Sequence, residues 1–166
     1  IQKQIYFKGY RKIWQNDNIC TTFDKNLLYK PKNGTCEFNN AEFQTNLTFG
    51  EFTREHSSVL NNNYLDDFLI VLGDSIAMGW GVNDNETFSY HLEKKMNVKT
   101  YNMAVSSYGT VREIKRLKLS PFYENSNTLI IQYQMNDLVE NKELDINKIY
   151  SKEDFKNKFE NNSSNL

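Results

Sequence analysis

The hydrophobic pattern changes character near residue 65. Before it, apolar residues are scattered or alternate over short pieces such as "CEFNNAEFQTNLTF", broken by turn signals such as "PKNGT". Short strands and loops with no sustained helical period are the expectation for residues 1–64. "NNNYLDD" then reads as the entry loop to a different kind of segment. "FLIVLG", from Phe68, is an uninterrupted apolar run, as in a strand covered on both faces. Residues 86–96 place Phe88, Leu92 and Met96 at i, i+4 and i+8, one face of a helix. "VKTYNMAV" is a second strand. Residues 110–119 put Val111, Ile114, Leu117 and Lys118 near one helical face before Pro121 stops the helix. "TLIIQYQ" is a third strand, and the polar run "LDINKIYSKEDFKNKFE" reads as helical before the tail "NNSSNL". Strand, helix, strand, helix, strand at these spacings predicts an α/β core with a parallel sheet and right-handed crossovers. The division is an irregular β-rich segment, 1–64, packed on an α/β unit, 65–166.

Composition adds boundaries. The 166 residues suit one core, and 20 basic against 21 acidic residues leave a net charge of −1. That balance does not suit steering toward nucleic acid or an anionic membrane. Asparagine is abundant, which cheapens the N-x-S/T matches at Asn33, Asn46, Asn85, Asn161 and Asn162. Cys20 and Cys36 are the only cysteines. Two free thiols and one disulfide both fit; a bridge would add roughly 3 kcal/mol, and two cysteines in a loop-rich segment suit an oxidising compartment. Export to a periplasm, cell surface or medium is therefore the expectation, with a signal peptide or anchor removed upstream of Ile1. The pattern does not decode an oligomeric state.

In parallel sheets ligands gather at the carboxyl ends of strands. The first such end is "GDS". Ser75 either caps the following helix, a common task for serine, or displays a nucleophile. The second is "NMAVSSYGT", where Gly109 can present a bare backbone N–H, or simply form a turn. The third is "QYQMND", where the Asn136 amide can donate to an oxyanion, with Asp137 bracing its loop.

Ser, Gly and Asn in that order, at three successive strand ends, resemble the SGNH hydrolases, the GDSL esterase/lipase family. "VLGDSIAMGWGV" is similar to the family's first block, "NMAVSSYGT" to its second and "IQYQMND" to its third. The resemblance covers about residues 67–138, and "TNLTFGEFTR" is a weaker match to the lead-in of some secreted bacterial members. It implies a three-layer α/β/α, flavodoxin-like fold and an acyl-serine mechanism. Ser75 is then the nucleophile, with Gly109 N–H and the Asn136 side chain as oxyanion donors. The implied partner is an ester or acylated-glycan substrate, with no metal or organic cofactor. An O-acyltransferase on a surface polysaccharide shares this equipment, and a non-catalytic binding or assembly module keeps the fold alone. Gln134 departs from the family's usual glycine. The D-x-x-H block is absent: the only histidines are His56 and His91, neither placed as the family's base. The chain therefore reads as stopping before the final strand, helix and catalytic loop.

Overall fold

The computed structural model describes residues 14–16, 18–40, 42–56, 68–125 and 128–159. "NNNYLDD" and "NNSSNL" lie outside them. The N-terminal segment forms two antiparallel hairpins, β1 (Thr21–Asp24) with β2 (Leu28–Pro31) and β3 (Gly34–Asn39) with β4 (Gln44–Phe49). Cys20 and Cys36 are disulfide-bonded and tie the start of the first hairpin to the second. Trp14 fills the space between, its ring 5.3 Å from Phe38 and 5.9 Å from Trp80.

The rest is a mixed α/β arrangement around a three-stranded parallel sheet in the order β6 (Lys99–Asn102), β5 (Phe68–Leu72), β7 (Thr128–Ile131). The helices are α1 (Ser75–Met78), α2 (Phe88–Met96), α3 (Thr110–Lys118), α4 (Met135–Glu143) and α5 (Lys152–Phe159). The sheet is smaller than a complete three-layer fold requires, with β6 and β7 as its two edges. No helix among the described residues is long and apolar enough to cross a membrane.

Alternation along β5 divides the core in two. Val71 faces a cluster shared with the hairpins, including Leu28, Phe38, Leu47, Met78 and Tyr108. Ile70 and Leu72 face a smaller cluster with Met103 and Leu117, flanked by Phe68, Ile114 and Phe122. The hairpins therefore complete one side of the α/β core.

Several elements depart from the pattern-based expectation. The second and third strands are shorter than their apolar runs, ending at Asn102 and Ile131. Beyond those points Met103, Val105 and Gln132 still donate to Val71, Gly73 and Leu72 (2.9, 3.1 and 3.0 Å), so the chain stays extended beside β5. Residues 144–151 are not helical and separate α4 from α5.

On α2 the apolar face is turned outward: Phe88 and Met96 are more than half exposed, whereas Ser89 and Glu93 are buried. Polar contacts choose that orientation. Ser89 Oγ accepts from Asn102 Nδ2 at 2.9 Å, and Glu93 Oε2 accepts from the Thr100 amide at 2.8 Å.

On α3, Leu117 is buried, Val111 and Ile114 are only half-buried, and Lys118 is exposed. The most buried positions also include Arg112, Glu113 and Arg116. Arg112 lies 5.4 and 5.1 Å from the Tyr29 and Tyr108 ring centres, with Nη2 donating to Glu140 at 2.9 Å. Arg116 lies over Phe52 at 5.6 Å. Aliphatic stems and flat guanidinium faces here do the packing expected of apolar side chains.

Candidate functional site

Gly73 ends β5, and its smallness is needed: a Cβ there would stand 2.6 Å from Ala77 Cβ and 2.9 Å from Gln132 Oε1. The chain then turns into α1, and the residue that caps this helix is Asp74, not Ser75. Asp74 Oδ1 accepts the Ile76 amide at 2.9 Å, which satisfies one of the free N–H groups of the first turn. Ser75 is the first residue inside the helix, half-buried. Among the described residues no side chain or backbone group is hydrogen-bonded to its hydroxyl.

The other strand ends are joined to this turn through each candidate's neighbour. Asn136 Nδ2 donates to Asp74 Oδ2 at 3.2 Å. Asp137 Oδ2 accepts the Gln134 amide at 3.3 Å and the Thr110 hydroxyl at 3.2 Å. Thr110 follows Gly109, the N-cap residue of α3. Ser75, Gly109 and Asn136 are thus tied into one locality by Asp74, Thr110 and Asp137. Asn136 is the second residue of α4, not a strand residue, and its side chain is exposed. One amide N–H is used on Asp74; Nδ2 carries a second. Gly109 is needed because α4 lies against it: a Cβ would come within 2.7 Å of Glu140 Cβ and 2.8 Å of Asn141 Oδ1.

The acids behind the turn are crowded. Asp74, Glu113 and Asp137 are all buried. Neither Glu113 oxygen nor Asp137 Oδ1 has a hydrogen-bond partner among the described residues. Burial, followed by the charges of Asp137 and Asp74, pushes the Glu113 carboxyl up to about 8. Glu113 is therefore mostly protonated at neutral pH, which relieves repulsion within the trio. Burial also raises the Asp137 carboxyl, against the hydrogen bonds from Gln134 and Thr110 that lower it.

Neither histidine is brought to Ser75. His56 Nε2 lies 3.1 Å from Glu93 Oε2, which accepts from Thr100 near the start of β6. Because β6 runs parallel to β5, that is the amino end of the sheet, opposite Ser75. His91 is exposed on α2. Among the described residues no group of three His, Cys, Asp or Glu could hold a metal ion.

The N-terminal segment positions both loops flanking this turn. Arg54 is buried and donates to the carbonyls of Met78, Gly79 and Val82, each at 2.7 Å, and to Asp84 Oδ1 at 2.9 Å. Tyr29 Oη donates to Ser106 O at 2.7 Å, and Tyr108 Oη returns a bond to Tyr29 O. Asn102 donates to Ala77 O at 2.9 Å, fixing the end of α1. Nothing in the local pattern marks Arg54 or Tyr29 for these roles, since their partners lie 24–30 and 77–79 residues away. Comparison with protein-family models, with curated proteins and with solved structures found no match to this chain.

Proposed function

We propose that this chain carries the nucleophile and oxyanion donors of an SGNH-type serine esterase or acyl hydrolase. The observation that supports the reading best is the division of labour at residues 74 and 75. Asp74 caps α1, which removes the structural explanation for the serine, and the Ser75 hydroxyl is left uncommitted at the carboxyl end of the central strand. The hydrogen bond from Asn136 to Asp74 brings the second candidate donor to the same turn.

In this reading Ser75 Oγ forms a bond to the ester carbonyl carbon and gives up its proton. The carbonyl π electrons move to oxygen, where the backbone N–H groups of Ser75 and Gly109 and the free N–H of Asn136 receive the charge. Collapse of this intermediate expels the alcohol and leaves acyl-Ser75. Water then releases the acid; an acceptor hydroxyl in its place would make the same apparatus an O-acyltransferase. The reading requires a proton acceptor beside Ser75, a place that neither His56 nor His91 occupies. The disulfide is compatible with export as the setting; the substrate class this reading carries is an O-acylated carbohydrate or lipid ester.

Turnover of p-nitrophenyl acetate by the full-length protein, measured beside Ser75→Ala, tests this. Loss of all turnover above background in the variant is expected, and equal rates would overturn the esterase reading. The absence of a histidine beside Ser75 among the described residues favours a second reading, a non-catalytic binding or assembly module. Equal rates would support it.

A further inference from the structure

Beside the Ser75 turn, the Val71 face of the sheet is covered by the hairpin-side cluster on one part and hollowed into a cavity toward β7. Val71 and Ile130 are register partners on β5 and β7, so their side chains share that face. With Ile76, Ala77, Phe88 and Gln132 they line a cavity of about 250 Å³. Val71 and Ala77 form its buried floor, while Ile76 and Phe88 stand at its rim, 63% and 51% exposed. Among the described residues the lining holds no charged group. Its one polar side chain is tied to the wall, Gln132 Oε1 accepting the Ala77 amide at 3.3 Å. A concave apolar surface rimmed by large exposed apolar side chains is the usual form of a ligand site. Ile76 and Ala77 directly follow Ser75 in α1, so the cavity adjoins the candidate nucleophile.

We infer that this cavity takes the acyl chain of the ester, and that the acyl group it fits is of medium length rather than acetyl. The inference rests on the proposed role of Ser75. A 150 Å³ apolar cavity holds benzene, so this one accommodates on the order of ten carbon atoms. An acetyl group would leave most of it empty. Each methylene that the walls remove from water improves binding by about fourfold. Partial opening to solvent lowers the gain per carbon, leaving at least about tenfold between two-carbon and eight-carbon chains.

The test is binding of methyl acetate and methyl octanoate to full-length Ser75→Ala, which removes turnover, followed by calorimetry and by the methyl resonances of Ile76 and Ile130. Methyl octanoate is expected to bind at least tenfold more tightly and to shift both isoleucines. Ile76→Asp and Phe88→Gln change exposed positions, so the fold survives them, and each should abolish the preference. Equal binding of the two esters would overturn the inference, as would octanoate binding that neither variant weakens. Covalent labelling of the unsubstituted protein with a small methyl fluorophosphonate separates the two claims. Labelled Ser75 without chain-length preference would sink the cavity and leave the nucleophile standing. Octanoate binding with inert Ser75 would remove the ester from the inference and leave only an apolar ligand site.

Discussion

The two edges of the parallel sheet are unlike. Along β6 the chain is covered: Arg54 bridges to Asn102, its amide donating to the Asn102 carbonyl at 2.7 Å, and Tyr101 stacks on Phe122 at 4.3 Å. Thr100 and Asn102 are buried, each with polar partners. Along β7, Leu129 and Ile131 are exposed, as are Tyr133, Met135, Leu138 and Val139 beyond it. From Asn125 to Asn136 the sequence holds no charged residue and no proline, the usual means of blunting a free edge. An apolar run states a demand for cover without supplying it. "FLIV" and "TLII" read alike, yet Ile70 is fully buried and its register partner Leu129 is not. The candidate site lies between these edges. Its loops are held from the β6 side by Arg54, Tyr29 and Asn102, while the cavity opens toward β7.

Arg54→Ala strands three carbonyls and Asp84, and should cost about 3–5 kcal/mol in chemical denaturation. A loss under about 1 kcal/mol would mean that the β6 side does not depend on this clamp. Ile70→Ala should cost about 2–5 kcal/mol, whereas Leu129→Ala, opposite it in register, should cost less than about 1 kcal/mol. Equal losses would show β7 to be covered in solution. Reduction of Cys20–Cys36 should lower stability by roughly 3 kcal/mol, because the hairpins that carry the β6-side contacts lose their cross-link; an unchanged denaturation midpoint would count against that dependence.

Glu113→Gln tests the acids beneath the turn, through pH. With its folded carboxyl raised to about 8 against about 4.3 when unfolded, Glu113 contributes stability fully present below about pH 4. That contribution is lost as pH rises toward 8, because the unfolded chain releases the proton first. The variant has no such proton to lose. It should match the unsubstituted protein near pH 4 and exceed it near pH 8 by on the order of 4 kcal/mol. Parallel melting curves across that range would show Glu113 to be solvated.

Part of the site was legible because small residues announce close approaches. Gly73 and Gly109 each stand where a Cβ would strike a neighbouring element, and both are visible in the chain as glycines, one directly after β5 and one at the start of α3. Asn136 was visible too, although helix α4 begins one residue before it. The burial of Arg112, Glu113 and Arg116 was not legible, since an amphipathic count places charge outward. Tyrosine rings and the Glu140 carboxylate from distant segments reverse that. The same holds for α2, whose buried face is chosen by Asn102 and by the Thr100 amide rather than by Phe88 and Met96.

By itself the sequence determined the alternation of strands and helices, the turn at Gly73 and the residue types at three strand ends, because these follow from local periodicity and backbone sterics. Only the tertiary structure decided that Asp74 rather than Ser75 caps the helix, and that Cys20 pairs with Cys36. It alone decided that, among the described residues, one edge of the sheet is covered and the other exposed. Those outcomes depend on which distant groups arrive within hydrogen-bonding or packing distance, and no local pattern encodes that arrival.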